Sequence, residues 1–330
     1  MNVLLSVIGR RGYIADYFRD AGAKKIVGTS DRHGEDSEFT VGFGSADRNY
    51  VLPSVNSDRY VDTLLQVCED EEIEIVTSLF DQDCHVLSDH LDAFRDLGVL
   101  PFLPTRRASD ICLDKVETVR FLNEAGIQGP ATFLSVEEFS ASGIGYPVVV
   151  KPRFGFASLD MHFVSNEREL RGCFDPSRHI IQQMLKGQEF SFDVLMDVQG
   201  KVISCVVKRK IKMRAGETDQ AITVKNKALL ELGVAIGEAM GYAGPLDVDL
   251  FVDGDDVRIL ELNPRFGGGY PASHAAGAMF PDLMVEMAKG RSPKSILGSY
   301  RENIVMMKRI AVDSRPITAM TDNVIDRAAQ

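Results

Sequence analysis

The feature that most constrains how this chain can fold is a pair of largely apolar segments joined by a short acidic turn. Residues 246–252 form the first segment, and residues 257–265, which end in Asn-Pro-Arg, form the second. The turn contains Asp253-Gly254, a dipeptide that favours β-hairpins. An antiparallel hairpin is therefore predicted here.

The register of this hairpin decides which polar side chains meet. Glu261 and Asn263 are two residues apart on one strand and so share a face. Asp249 joins them only if it pairs opposite Glu261. That pairing requires a turn with an odd number of residues, such as 254–256, whereas an even turn would place Asp249 opposite Leu260. We predict the odd turn.

In that register the hairpin presents hard oxygen ligands on one face, from Asp249, Glu261 and Asn263. Asp247 lies on the same face as Asp249 and is an additional candidate ligand. Such oxygens suit Mg²⁺, which proteins usually hold by one or two carboxylates together with substrate phosphates. Arg265, two residues beyond Asn263, can meet a transferring phosphoryl group or acyl-phosphate oxygens. An acidic edge hairpin without a metal ion would show a similar pattern.

Three further residues are predicted to contact a substrate. Residues 267–269 are all glycine, which lets a ligand approach the backbone, and Tyr270 and His274 follow them. His274 could equally be a surface residue. An apolar strand at 73–79 runs into Asp81, and parallel sheets bind ligands at the carboxyl edge of their strands.

A lysine ends another apolar strand, at 146–151. The strand would hold the Lys151 ammonium in place, while the small residues of the following turn, including Gly155 and Ser158, let backbone N–H groups approach phosphate oxygens. An ordinary loop after an exposed lysine fits the same pattern. The segment lacks G-x-x-x-x-G-K-[ST], so it is not a P-loop.

Charged residues also mark two later strands. In the strand 189–196, alternation places Glu189 opposite the core side chains, where it faces either ribose hydroxyls or water. The basic run 208–214 continues a strand, and we expect its Lys208 and Arg214 to face phosphates, although a solvated face is the commoner meaning of a basic run.

The first hundred residues alternate apolar strands with helical segments, which predicts a parallel α/β sheet, and short strands beyond Pro130 predict an α+β region. The formal net charge of −11 opposes nucleic-acid binding. Five cysteines without a C-x-x-C pair favour reduced thiols, and no stretch has the character of a signal peptide or a membrane span. We therefore expect a cytoplasmic protein that binds small molecules and neither nucleic acid nor membrane.

With these pieces in order, the chain resembles the ATP-grasp superfamily and, within it, one synthetase half of the carbamoyl-phosphate synthase large subunit. The similarity covers nearly the whole chain. The matching stretches are Asp114-Lys115, Val150–Arg153, Gln182–Leu185 followed by Glu189, and Leu260–Arg265. Of these, Leu260–Arg265 is the most specific.

The resemblance implies an ATP-grasp fold of mixed α/β and α+β character, preceded by a Rossmann-like parallel sheet. It divides the chain into a pre-ATP-grasp domain at 1–108, a small lid subdomain at 109–185 and a C-terminal subdomain at 186–330. The implied cofactors are ATP and Mg²⁺, which Mn²⁺ can replace.

The resemblance also implies roles for individual residues. Two lysines would bind ATP phosphates, residues 182–185 would form the adenine-binding hinge, and Glu189 would hold the ribose. Asp249, Glu261 and Asn263 would bind Mg²⁺, with Arg265 at the reacting phosphate; relatives typically carry glutamine or glutamate where Asp249 stands. The implied ATP-binding residues are Lys115, Lys151, Ser158, Gln182, Gln183, Met184, Leu185 and Glu189.

The activity implied is ligation of a small carboxylate, or bicarbonate, to an amine through an acyl-phosphate. A split carbamoyl-phosphate synthase, acting with a second half or as a homodimer, is the alternative. A nucleotide-binding module without catalysis is a remoter one, against which the lysines, the metal ligands and Arg265 argue. An NAD-dependent dehydrogenase is the last, but Gly9 and Gly12 supply only two of the three fingerprint glycines.

Overall fold

The computed structural model describes residues 1–31, 37–155, 160–312, 314, 316–317 and 321–328. Within these residues the strands form three sheets, one parallel and two antiparallel. This confirms the predicted combination of a parallel α/β sheet with an α+β region. No helix in the described part of the chain is long and apolar enough to cross a bilayer.

The first sheet is parallel, with strand order β16-β3-β2-β1-β4-β5. Successive residues of its central strand enter different cores, Val3 and Leu5 on one face and Leu4 on the other, as expected for a sheet covered on both sides. Its elements are β1 (Asn2–Ser6), α1 (Gly12–Asp20), β2 (Lys25–Asp31), β3 (Arg48–Leu52), α2 (Tyr60–Asp70), β4 (Ile75–Ser78), α3 (Asp81–Leu87), α4 (Leu91–Asp96), β5 (Leu100–Pro101) and the distant β16 (Val324–Asp326).

A small antiparallel sheet, of order β6-β9-β7-β8, carries a core of its own that includes Phe139, Val148 and Leu170. Short helices begin at Ser135 and Asn166, whose side chains accept hydrogen bonds from the backbone three residues on and so cap them. The elements are β6 (Thr132–Phe133), α7 (Val136–Ala141), β7 (Val148–Pro152), β8 (His162–Val164), α8 (Glu167–Cys173) and β9 (His179–Gln183).

The third sheet is antiparallel, of order β14-β13-β10-β11-β12-β15, and helices cover its apolar face. Further helices, α10 and α11, share one core with β10 and β11 of this sheet and with the first sheet. The elements are α5 (Arg106–Leu113), α6 (Lys115–Glu124), β10 (Gln188–Met196), β11 (Val202–Arg214), β12 (Glu217–Thr223), α9 (Lys227–Met240), β13 (Gly244–Asp253), β14 (Asp256–Asn263), α10 (Tyr270–Ala275), α11 (Phe280–Ala288) and β15 (Val305–Met307).

The division of the chain at residues 108 and 185 stays a prediction, but two contacts cross it. Ile111 in α5 and Leu122 in α6 pack into the core of the third sheet beside Ile259. The strand β16 pairs with β3 and extends the first sheet.

The predicted pairing of Asp249 opposite Glu261 is confirmed, but the predicted odd turn is wrong. Asp253 pairs with Asp256, so the turn contains two residues. The pairing is restored by a β-bulge: Leu250 pairs with Ile259 and the next pair is Asp249 with Glu261, which leaves Leu260 as the extra residue. Without the bulge Glu261 would point into the core.

Candidate active site

A large cavity lies between the small sheet and the third sheet, with a volume of about 510 Å³. The predicted ATP-binding residues line it, except Ser158, which lies outside the described residues. Apolar side chains such as Val149, Phe251 and Leu260 form much of its wall. The lining also includes Lys115, Lys151, Gln182, Gln183, Met184, Leu185, Glu189 and Glu261.

The hinge segment 182–185 leaves the small sheet along one wall of this cavity. The Gln182 amide is buried and donates to Thr132 Oγ1 at 3.0 Å, which fixes the end of β9. That strand ends at Gln183, so the backbone groups of Met184 and Leu185 lie beyond its ladder. Backbone donors and acceptors in this position can read the edge of a planar heterocycle.

Two lysines reach the same cavity from different elements. Asp114 caps α6 by accepting from Val116 N at 2.9 Å and holds Arg153 through both its oxygens. This pair brings Lys115 to the turn after β7, where its Nζ donates to the Gly155 carbonyl at 2.8 Å. Burial lowers the pKa of Lys115, and it lowers the pKa of Lys151 to about 8. Two partly desolvated ammonium groups are suited to an anionic ligand.

A smaller polar cavity of about 130 Å³ adjoins the large one. The predicted metal ligands Asp249, Glu261 and Asn263 all line it, and Glu189 and Glu261 line both cavities. Hard oxygens on paired strand positions thus stand at the junction, as a Mg²⁺ site completed by phosphate would require. No cluster of three or more His, Cys, Asp or Glu suited to a metal ion occurs within the described residues.

Lys210 lies at the centre of this polar face, and the sequence analysis did not select it. Its Nζ donates to Glu189 Oε1 at 2.8 Å and lies 2.7 Å from Asp249 Oδ1. Burial opposes its charge, but Asp249 and then Glu189 raise the pKa of Lys210 above its ordinary value. Burial in turn raises the pKa of Asp249, an effect that Lys210 counteracts.

Arg265 lines the polar cavity together with the predicted metal ligands. Its Nε lies 3.2 Å from Asp81 Oδ2, and its Nη1 lies 3.2 Å from Asp247 Oδ2. These carboxylates raise the pKa of Arg265 although burial opposes its charge. Asp81, predicted to contact substrate, therefore does line the polar cavity, beside the guanidinium.

The first sheet contributes Arg11, a second residue that the sequence analysis did not select. Its Nη1 donates to the carbonyls of Leu79 and Phe266, at 3.0 and 2.9 Å, and its Nη2 lies 3.3 Å from Glu217 Oε1. Lys308 also binds Glu217, at 3.0 Å. Burial opposes the Glu217 charge, but Arg11 and Lys308 lower its pKa to about 2. Only knowledge of the tertiary contacts could have identified this bridge.

The two basic residues selected from the run 208–214 do not reach either cavity. Lys208 is fully buried, and its ammonium binds Asp193, which Ser273 also contacts. Arg214 is half exposed and binds Asp219, because register shifts after Lys210 change the alternation along β11. Among the described residues, Lys210 is the lysine of this run that lines the polar cavity.

Tyr270 and His274 also lie away from both cavities. The Tyr270 hydroxyl accepts from Phe280 N at 2.7 Å within a fully buried aromatic cluster. The His274 ring stacks on Tyr17 with 3.7 Å between centroids and so joins α10 to α1. Tyr270 and His274 therefore pack the joint between α10, α11 and α1, whereas Asp81 alone of the three predicted substrate contacts lines the polar cavity. Gly267 likewise makes room for Asp247, whose carboxylate a Cβ there would strike.

Two family models match the chain: residues 3–102 match the PylC-like N-terminal domain, and residues 112–269 match the ATP-grasp domain. The chain therefore contains an ATP-grasp domain. The ATP-grasp match begins just before α6 and ends with the glycine run, so it contains both lysines, residues 182–185, the predicted metal ligands and Arg265.

Curated relatives are similar at low identity. The arginine-specific large chain of carbamoyl phosphate synthase from Geobacillus stearothermophilus is 22% identical over 80% of this chain and 26% of its own length. A D-alanine–D-alanine ligase from Desulforudis audaxviator is 25% identical over 55% of this chain and 69% of its own. The chain thus spans about a quarter of the carbamoyl phosphate synthase chain it matches.

Solved structures share the fold. The biotin carboxylase domain of 2-oxoglutarate carboxylase from Hydrogenobacter thermophilus, in complex with MgADP, ADP and bicarbonate, matches 92% of this chain and 73% of its own, with a TM-score of 0.72 and 17% identity. N5-carboxyaminoimidazole synthetase from Staphylococcus aureus with ADP matches 89% of this chain and 78% of its own, with a TM-score of 0.68 and 17% identity.

Proposed function

We propose that the protein is an ATP- and Mg²⁺-dependent ligase that converts a small carboxylate into an acyl-phosphate and transfers the acyl group to an amine. One observation carries this proposal: Glu261 lines both the large cavity, which contains the two lysines and the hinge, and the polar cavity, which contains Arg265. A nucleotide and a second reactant can therefore meet at a shared wall.

The residues divide into four groups by the part of the reaction that each would serve. Residues 182–185 and Glu189 would position adenine and ribose, while Lys115 and Lys151 would neutralise phosphate charge. Asp249, Glu261 and Asn263 would hold Mg²⁺, which when bound supplies Lewis-acid neutralisation of the phosphates. Arg265, in the polar cavity, would stabilise the transferring phosphoryl group.

The proposed reaction has two steps. A substrate carboxylate oxygen attacks the γ-phosphorus, the bond to the bridging oxygen breaks, and ADP leaves with that electron pair. The amine nitrogen then attacks the acyl carbon, phosphate leaves with the electron pair of its C–O bond, and the amine proton passes to water or a nearby carboxylate. In the polar cavity Lys210 contacts the proposed ligand Asp249, and Arg265 contacts Asp247 and Asp81.

The decisive experiment measures ADP formation in a panel of carboxylates, bicarbonate and amines, with wild-type protein and Glu261→Gln. The wild type should release ADP only in the presence of Mg²⁺ and a carboxylate. Glu261→Gln should lower turnover by about 100-fold or more while ADP affinity changes far less, because the lost interaction serves the transferring phosphate.

The exposed turn residue Asp255 provides the matched control, since Asp255→Asn removes a carboxylate from the same hairpin outside both cavities. Nucleotide binding without turnover across the whole panel would refute the ligase and favour a non-catalytic module. Near-normal turnover by Glu261→Gln would refute the metal site alone.

A component of a split carbamoyl-phosphate synthase is a second candidate, favoured by the similarity to carbamoyl phosphate synthase large chains. This candidate predicts that bicarbonate alone stimulates ADP release. An amino acid that stimulates release in the absence of bicarbonate would exclude it.

The cellular compartment and the oligomeric state of the protein are also proposals. All five cysteines are free thiols, which supports the cytoplasm, where disulfides are rare. A homodimer is the assembly to test by sedimentation, and small carboxylates and amines are the proposed partners.

A further inference from the structure

Lys210 forms ion pairs with two carboxylates that the proposed function assigns to the metal ion and to the ribose. The side chain is only 3% exposed, and its ammonium lies between Asp249 Oδ1 at 2.7 Å and Glu189 Oε1 at 2.8 Å. In the proposed function Asp249 binds the metal ion and Glu189 binds the ribose. One lysine therefore binds two carboxylates that the metal–nucleotide complex would require.

The lysine has a clear electrostatic task in the protein without ligand. Asp249 lies on the same strand face as Asp247 and directly opposite Glu261, so three carboxylates crowd one region. A buried carboxylate without a compensating charge is strongly destabilising. Lys210 supplies that charge, with its Nζ 2.7 Å from Asp249 Oδ1.

We infer that Lys210 makes metal binding conditional on nucleotide. In the free protein Lys210 binds Asp249 and Glu189. When the triphosphate binds, its phosphoryl oxygens accept hydrogen bonds from the ammonium instead, and the two carboxylates become available to the metal and the ribose. The exchange requires only side-chain rotation, because Lys210, Asp249, Glu261 and Asn263 already line the same cavity. The inference rests on the metal site of the proposed function.

The test replaces the ammonium by an apolar group of similar length, in Lys210→Met. Mn²⁺ binding is followed by electron paramagnetic resonance in the absence of nucleotide. The variant should bind Mn²⁺ about ten-fold more tightly than the wild type, a typical size for coupling between sites. Lys212→Met, on the exposed part of the same strand, should match the wild type. Equal nucleotide-free affinity in the wild type and Lys210→Met would overturn the inference.

Thermal unfolding gives a second readout that also covers a poorly folding variant. Lys210→Met should melt at a lower temperature than the wild type, and either Mg²⁺ or the added substitution Asp249→Asn should restore much of the loss. A double variant no more stable than Lys210→Met would show that Lys210 does not serve Asp249.

These measurements need no turnover, so they separate the two proposals. If no carboxylate stimulates ADP release, the ligase is refuted while the metal data still decide the role of Lys210. If turnover is found but Lys210→Met leaves Mn²⁺ binding and melting unchanged, the inference alone is refuted. Lys210→Arg keeps a positive charge and should resemble the wild type in nucleotide-free Mn²⁺ binding.

Discussion

Burial favours the neutral form of Lys151, whereas phosphate binding needs its charged form. Its position at the end of a buried strand lowers its pKa to about 8, because desolvation disfavours the charged amine. Glu261 counteracts this effect, whereas Lys115 adds to it. Phosphate binding needs the protonated form, and a bound phosphate would in turn stabilise the proton on the amine.

This conflict predicts a pH dependence of nucleotide affinity. Because only the protonated amine attracts phosphate, affinity should fall as pH rises through 8, by about ten-fold between pH 7 and pH 9. Calorimetric titration with MgADP at three pH values measures it. Lys151→Arg, whose guanidinium stays charged, should remove the dependence. An equally steep profile in that variant would assign the titration to another group.

Lys208 and Lys210 show how far a single side chain can be predicted. Alternation correctly places both on one face of β11, and their local sequences do not distinguish them. Cross-strand partners do: Asp193 and Ser273 enclose Lys208, whereas Glu189 and Asp249 leave Lys210 at a cavity. Those partners come from distant parts of the chain, so only the register of three strands could have identified them.

At the scale of elements, the bulge in β14 sets the geometry of the site. Ile259 and Leu262 are both buried, although strict alternation would send them to opposite faces. The apolar run Ile-Leu-Glu-Leu fits either register, so the sequence could not locate the extra residue. The edge position of β14 is where such bulges are common.

The bulge leads to a test by deletion. Removing Leu260 would leave Ile259 and Glu261 adjacent, with their present partners, in a regular ladder. The protein should therefore fold and keep the pairing of Asp249 with Glu261, while ADP affinity falls about ten-fold through loss of a leucine from the cavity wall. Leu260→Ala should lose a similar affinity. A deletion variant that abolishes metal–nucleotide binding altogether would show that the bulge has a further role.

At the scale of the whole molecule, the first and third sheets are joined by contacts that span the sequence. One core contains Val3 and Leu5 of the first sheet together with Phe266, Tyr270 and Phe280. The general order of sheets followed from local periodicity and resemblance. The return of β16 did not, because a three-residue strand carries too little pattern to be assigned to a sheet some 270 residues away, beyond the reach of local propensity.

Truncation after Val312 tests the contribution of β16. The shortened chain loses the ladder with β3 and the ion pair of Arg327 with Asp70, so its melting temperature should fall by roughly 5 °C. It keeps Lys308, which binds Glu217, so MgADP affinity should change by less than about two-fold. A large loss of affinity would mean that the segment also supports the cavities.

The pairing of β16 with β3 also has a consequence for synthesis on the ribosome. Until the residues around 324–328 have emerged, β3 presents an unpaired edge, and its backbone donors and acceptors are open to any other strand. Most of the chain must therefore be made while this edge is exposed, which is the condition under which nascent chains associate wrongly. The strand β16 therefore completes the first sheet only late in synthesis. We expect the nascent chain to depend most on a chaperone before β16 has paired with β3.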